Sequence, residues 1–600
     1  MRTNRKMEEK KMSMSKNIAR LAVTAGLTAA LSFGGVMAPV TMAFAAEAAP
    51  ANSITINKIA DDNKDNTFKA YQIFKAKVVD ETGKGKVASD IEWSSSTIGS
   101  KVIAAIQGST KYKELVKADS TKALAADATA PVVAEWLSNN VTDTNASSTS
   151  GSEGTRVAPG DVLYAIAAAV TDETPAGNAI PVDTSWTRPN ITSDGRYGDG
   201  YYLLVPDGLK ADKPNTGTSP IFAIVGGDPV TVTEKTSIPT VNKEILNDGK
   251  EKQGGYTAQD GWSNYADSQV GQQISYKLTG TIADNYATYD SYAYKFTDTL
   301  SQGLTYAKDS LEVYALNDGS YTKIDPNSYT VLEPAKDNNN TLTVSFNGKG
   351  LKSATAANEN EPLNIDAKTQ IVVFYKAELN SKASYEAPGN KNEVYLEYSN
   401  NPMAEGTGKS EIKVVTDHVF RLDVTKTDKD TGSALTGNNL QAGFKVKVIQ
   451  GDEGTLENKW LGENGEIVDE SQAYEFKTQL KDGKVYIPGL DTGTYQITET
   501  TTPTGYNTVA PFEITVTPSY KKNGELDTLT VSSNNKEMTV IGDANGATMP
   551  LTIKNKKGSG LPLTGLNGVT FTWIAGGAVL CIGVAHLIRS RKQAEESEQE

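Results

Sequence analysis

Reactive side chains are scarce in these six hundred residues: there is one cysteine, Cys581, and two histidines, His418 and His586. Disulfide frameworks, Cys/His zinc sites and Cys–His dyads are nearly excluded, which leaves lysines, carboxyls and amides. Side chains alternate between the two faces of a strand, so parity tells which residues share a face. Phe420, Leu422, Val424 and Lys426 share one parity, as do Tyr495, Ile497 and Glu499, and Leu551, Ile553 and Asn555. An amine, a carboxyl and an amide thus point where apolar residues point. The pattern recurs earlier: Val241, Lys243 and Ile245; Tyr294, Phe296, Asp298 and Leu300; Val394, Leu396, Tyr398 and Asn400. Asn401 falls on the opposite face, so Asn400 is the amide expected inside.

Burying each of these groups alone would cost a few kcal/mol or more. Together they support a reaction. Desolvation lowers a lysine pKa and raises a carboxyl pKa, so a buried lysine becomes a neutral nucleophile beside an acid that keeps its proton. The acid polarises the asparagine amide and shuttles a proton as ammonia leaves. The product is a Lys–Asn isopeptide bond, which removes the buried charge and ties an early strand to a late one, restricting the unfolded chain as a disulfide does. On parity alone, Lys243 and Lys426 could equally be edge residues whose heads reach water, with the acids in ordinary ion pairs.

The elements that would position these groups are strands. At roughly 100–200 residues per domain, the length suggests about three or four domains. Residues 46–235 mix strand patterns, such as 71–77, 198–205 and 220–225, with Ala-rich helical runs at 101–117, 131–140 and 161–170. Residues 142–161 are rich in Ser, Thr, Gly and Asp and read as an exposed loop. Segments 236–415 and 416–556 each alternate through short strands separated by Asn, Asp and Gly turns. The fold class expected is mostly β: tandem immunoglobulin-like β-sandwiches preceded by an N-terminal β domain carrying inserted helices. His418 lies between the last two segments and reads as a linker residue. The first segment is expected to have no internal cross-link, although Lys58 shares the parity of Ile54 and Ile56.

Both ends read as processing segments. Basic residues from Arg2 to Arg20 precede an Ala/Gly-rich apolar run ending near Ala43-Phe44-Ala45, the pattern of a secretory signal peptide over residues 1–45. At the other end the apolar stretch 569–587 is just long enough to cross a bilayer core. Arg589, Arg591 and Lys592 follow it, which keeps the C-terminus inside and the body of the protein outside. Between both cuts a single histidine, His418, and no cysteine remain, so a Ser-His-Asp or Cys-His hydrolase has almost nothing to work with. An acid-pair glycosidase is not formally excluded. The net charge of −14 argues against a nucleic-acid partner.

The pentapeptide Leu561-Pro562-Leu563-Thr564-Gly565, directly before that span and basic tail, resembles the LPXTG sorting signal of Gram-positive surface proteins. The resemblance implies that a sortase cleaves between Thr564 and Gly565 and passes the Thr564 carbonyl to an amine. The run Ile487-Pro488-Gly489-Leu490-Asp491 through Thr498-Glu499 to Gly505-Tyr506 resembles the E-box of collagen-binding-protein B-type (CnaB) domains. Phe296-Thr297-Asp298-Thr299-Leu300 with Gly303-Leu304-Thr305-Tyr306, paired with Tyr398-Ser399-Asn400-Asn401-Pro402, resembles the middle domain of major fimbrial subunits. Jointly these resemble the SpaH/EbpB-like family of sortase-assembled major (backbone) pilins. That likeness implies cross-links Lys426–Asn555 promoted by Glu499 and Lys243–Asn400 promoted by Asp298.

In such pilins a lysine near the end of the first domain attacks the sorted threonine of the next subunit. Val230-Thr231-Val232-Thr233-Glu234-Lys235 is similar to that region, although no Tyr-Pro precedes Lys235; Lys210 and Lys213 are alternatives. The expected role is the structural shaft subunit of a cell-wall-anchored pilus on the surface of a Gram-positive bacterium, not an enzyme in the usual sense. Its partners would be other copies of itself, a pilin-type and a housekeeping sortase, peptidoglycan, minor pilins and a host or partner-cell ligand in adhesion. No cofactor and no metal is expected. The alternative is an LPXTG-anchored adhesin that is never polymerised.

Overall fold

Alternating apolar and polar residues fold most of the chain into antiparallel sheets, with helices only near the start. The computed structural model describes residues 49–559 apart from 82–84, 142–156, 192–196, 358–360 and 452–455. The expected signal peptide at 1–45, the pentapeptide 561–565 with Thr564 and Gly565, and the apolar stretch 569–587 lie outside the described residues. Among the described residues no helix is long and apolar enough to cross a membrane.

Strands up to Thr233 pair among themselves. A five-stranded sheet built on Thr67–Glu81 and Gly200–Asp207 faces a three-stranded one in which Ser53–Asn57 runs beside Val230–Thr233. Four helices cover the larger sheet and share a core containing Val102, Ile106, Val133, Ile166, Tyr201 and Leu203. The run at 101–117, expected as one helix, is two. Ser109 sits in extended backbone between Ser96–Gly108 and Thr110–Ala118, and its hydroxyl accepts from the Tyr112 N–H at 3.2 Å. A serine that caps the next helix stops the previous one.

The strands from Val241–Leu246 to Lys413–His418 form two seven-stranded sheets packed face to face. Tyr276, Tyr294, Phe296, Tyr375 and Tyr398 fill the space between them. The strands from Phe420–Asp428 onward make a second sandwich, a four-stranded sheet against a seven-stranded one. There the first strand, Phe420–Asp428, and the last, Thr548–Asn555, are parallel neighbours.

The sandwiches are joined by buried contacts. Gln269 donates to the Tyr495 hydroxyl at 2.7 Å, and Tyr265 stacks on Tyr520 at 4.3 Å. His418, expected as a linker residue, is instead buried at the end of its strand. Its Nε2 lies 2.9 Å from the Gly524 carbonyl, its ring rests against Tyr520, and burial lowers its pKa. Its neighbour Asp417 is fully buried, and weak contacts from the Ser268 side chain and the His418 backbone only partly offset the water its carboxyl has lost.

Burial raises the Asp417 pKa well above the carboxylate range, and Asp248 and Asp267 push the same way. The native state therefore holds a proton that the unfolded chain releases near pH ~4, and stability falls as pH rises above that value. Asp417→Asn keeps the shape without the ionisation. It is expected to stabilise the protein at neutral pH by about 1.4 kcal/mol for each pH unit above the unfolded carboxyl's pKa over which the buried group keeps its proton. The pH dependence of denaturant unfolding should flatten accordingly, and an unchanged slope would refute the assignment.

Candidate functional site

In the C-terminal sandwich the pairing of the first and last strands sets Lys426 opposite Ile553 and Asp428 opposite Asn555. The Lys426 ammonium donates to Asn555 Oδ1, and both residues are 0 % exposed. Glu499 comes from the facing sheet, where it pairs with Phe444. Its carboxylate stands 3.2 Å from Lys426 Nζ and accepts from Asn555 Nδ2 at 3.0 and 3.2 Å. The Val509 N–H, also donating to Glu499 at 2.7 Å, holds the carboxyl in place. Burial pulls the Lys426 pKa down to about 8 against the upward pull of Glu499. A substantial neutral fraction of this amine therefore lies against an amide carbonyl, with one acid touching both the attacking and the leaving nitrogen.

The middle sandwich holds a second cluster of different construction. Lys243 lies on one sheet and Asp298 on the other, both fully buried, with the ammonium donating to Asp298 Oδ2. Burial lowers the lysine pKa and raises that of the acid, each opposed by the attraction of its partner. Lys243 Nζ lies 5.4 Å from the centre of the Tyr276 ring and 5.5 Å from that of Tyr375, two rings that stack on each other. The Tyr375 hydroxyl lies 3.2 Å from Lys243 Nζ, from which it accepts, and donates over the same distance to Asp298 Oδ2.

The amide at this cluster is Asn392, not Asn400. Asn392 Nδ2 donates to the Tyr375 hydroxyl at 2.6 Å, while its Oδ1 is buried with no partner among the described residues. Asp298 pairs with Val394 in the sheet, so Asn392 is two residues away on one side. Asn400 is six residues away on the other side, about 20 Å at 3.3 Å per residue. Asn400 instead meets the N-terminal region: it donates to Asn215 Oδ1 at 2.9 Å, and its carbonyl accepts from the Gly217 N–H at 2.7 Å. Asn401, the other residue weighed, donates nothing here; its Oδ1 accepts from the Met403 N–H. Asn392 has the parity of Asn400 and was open to the same reasoning, whereas Tyr375 carried no signal beyond its place in an apolar strand.

Among the described residues of the N-terminal region no such cluster forms. Lys58 sits at the surface with Asp183 at 2.7 Å. The buried Glu234 accepts from Asn63, Asn66 and the Ile59 N–H, so acid and amides meet there without an amine among their partners. Lys235 follows at once, half-buried between Glu234 and the buried Thr236, with its N–H donating to Thr218 Oγ1 at 3.0 Å. Lys210 and Lys213 are exposed. Among the described residues no group of three or more His, Cys, Asp or Glu is placed to hold a metal ion.

With this geometry in hand, the chain can be set beside known proteins. Residues 420–536 match the family model described as SpaA, prealbumin-like fold domain, which classes the C-terminal sandwich. No curated protein matches the chain. Similar solved structures include the T6 backbone pilin of serotype M6 Streptococcus pyogenes, 16% identical over 84% of this chain and 98% of that one, with a TM-score of 0.44. The group B streptococcus pilus 2b backbone protein is 23% identical over 49% of this chain and 96% of its own, at 0.35. The Corynebacterium diphtheriae major pilin SpaA is 14% identical over 64% and 87%, at 0.37.

Proposed function

We propose that this chain is the repeating shaft subunit of a covalently polymerised, wall-anchored pilus, with its two sandwiches closed by isopeptide bonds. The observation that carries the reading is the pair of buried clusters, each bringing an amine, an acid and an amide together in the dry core of a separate sandwich. In the reaction the lysine Nζ attacks the asparagine Cγ, an amide bond forms, the Cγ–Nδ2 bond breaks, and ammonia leaves with the proton the amine gave up. Glu499 relays that proton in the C-terminal sandwich; Asp298 does so in the middle one with the Tyr375 hydroxyl between amine and amide. The bonds are Lys426–Asn555, between neighbouring strands of one sheet, and Lys243–Asn392, across the sandwich.

Such bonds serve a protein that bears tension, because force then passes through covalent links instead of unzipping strands. The pentapeptide ending in Thr564 and Gly565, with the apolar stretch and basic tail behind it, supplies the acyl donor for a sortase. Lys235 is the acceptor amine we assign: its backbone is fixed on both sides by the buried Glu234 and Thr236. The chain acts as a sortase substrate, joined to copies of itself and finally to peptidoglycan, and its own chemistry is a single turnover.

Cell-wall extract boiled in SDS and blotted for the protein is expected to give a ladder of high-mass bands. Lys235→Ala should collapse the ladder to monomer while Lys210→Ala and Lys213→Ala leave it intact. A single band near monomer mass in the unmodified protein would overturn the shaft reading. A ladder that survives Lys235→Ala would overturn only the choice of amine.

A further inference from the structure

A cleft in the middle sandwich takes no part in the cross-linking chemistry and carries an unusual charge. It encloses 730 Å³, inside the range of roughly 300–1,000 Å³ typical of small-ligand sites. Four lysines line it: Lys308, Lys336, Lys382 and Lys391. All are exposed, and none forms an ion pair among the described residues. The chain has 73 acidic residues against 59 basic ones, so carboxylates are not in short supply. Most other exposed lysines on these sheets have found one, as in Lys323 with Glu312 and Lys349 with Asp290. Glu333 and Glu393 also line the cleft, and Lys391 feels Glu525 of the C-terminal sandwich without touching it.

The walls are held before any ligand arrives. Three loops meet here, around residues 300–306, 333–340 and 380–391, and two asparagines staple them. Asn340 Nδ2 donates to the carbonyls of Leu300, Ser301 and Leu304. Asn380 donates to the Gln302 carbonyl and Thr305 Oγ1 and accepts from the Lys382 N–H. Gly303 allows the closest approach, since a Cβ there would stand 2.7 Å from Ala383 Cα. Backbone groups of the rim are spent on one another, for example Ser301 N–H on the Lys391 carbonyl at 3.0 Å. Recognition must therefore run through side chains, not through strand addition as with an extended peptide. Those side chains are four ammoniums against the two carboxylates of Glu333 and Glu393, with hydroxyls and amides around Tyr306 and only four apolar residues in the lining.

We propose that this cleft binds an anionic oligosaccharide, carboxylated or sulfated, through its four lysines. Hydroxyl-bearing rings meet the amide and hydroxyl walls, the Tyr306 ring offers a face to stack on, and the acid groups meet the unmatched ammoniums. Each exposed charge contact contributes about 1 kcal/mol in water, so the affinity is modest for one site. Copies repeated along a fibre would raise it by avidity. The inference stands on the cleft alone and does not require polymerisation.

The test is isothermal titration of the folded chain at low salt with a heparin-derived sulfated disaccharide and with 3′-sialyllactose. Binding of at least one is expected, lactose giving none. Lys336→Glu with Lys391→Glu should weaken it at least about tenfold, or ~1.4 kcal/mol. The same charge change made at Lys481→Glu and Lys536→Glu, two exposed lysines of the C-terminal sandwich, should leave it unaltered. Failure of both saccharides to bind, equal loss in the two double variants, or hexaglutamate binding as tightly as the saccharides would each overturn the proposal.

Discussion

Glu499→Ala is expected to leave the C-terminal sandwich uncross-linked, so that the shortfall of the variant's intact mass below its own sequence mass is one ammonia smaller than the parent's. Glu499 is the one group within hydrogen-bond distance of both Lys426 Nζ and Asn555 Nδ2. Without it the amine has no acceptor for its proton and the leaving nitrogen has no donor, although amine and amide still touch. The consequence for stability is large because the bond closes a loop of 129 residues. In the chain-entropy picture a loop of that size contributes about 4–5 kcal/mol, which for a domain of this size shifts Tm by roughly 10–20 °C. Lys426→Ala and Asn555→Ala should each show the same reduced shortfall below its own sequence mass and a similar loss of stability. A Glu499→Ala protein with the parent's full shortfall below its sequence mass would mean that the acid is dispensable and the mechanism wrong.

The second expected result separates two asparagines that parity cannot. Asn392→Ala should abolish the middle cross-link, again shrinking the shortfall of the intact mass below its own sequence mass by one ammonia, and Asn400→Ala should leave that shortfall untouched. The loop between Lys243 and Asn392 is longer than that of the C-terminal sandwich, and the bond joins two sheets instead of two neighbouring strands. Its loss is expected to cost about as much, ~4–5 kcal/mol, with the added penalty that Lys243 and Asp298 stay ionisable in a fully buried site. Asn400→Ala should loosen only the junction it makes with Asn215 and Gly217. Tandem mass spectrometry of a digest is decisive: a branched peptide joining Lys243 to Asn392 is expected, and one joining Lys243 to Asn400 would overturn the assignment.

Much of this was legible from residue order because strand periodicity is local. Parity placed Lys426, Glu499 and Asn555 on the inward faces of their strands, and all three meet in one cluster. Parity also put Lys243 and Asp298 inside, and the alternating pattern announced the sandwiches. The break at Ser109 was missed because the flanking Ala-rich runs read as one helix, while a single hydroxyl decided the matter.

What parity cannot supply is position along the strand. Asn392 and Asn400 have the same parity on one strand, and nothing local says which of them stands opposite a lysine from another sheet. Strand register and the stacking of the two sheets decide it, pairing Asp298 with Val394 and so bringing up Asn392. The same holds for Tyr375, which enters the middle cluster only because its strand, Gln370–Leu379, lies two places from the lysine's strand in the same sheet, with Gln273–Gly280 between them. It holds as well for His418, which packs against Gly524 and Tyr520 of the second sandwich, and for four lysines that meet from segments far apart in sequence. The amino-acid order alone determined which side chains turn inward and what chemistry they can do. The tertiary structure decided which of them meet, because contact between strands depends on register and sheet packing, which no local pattern encodes.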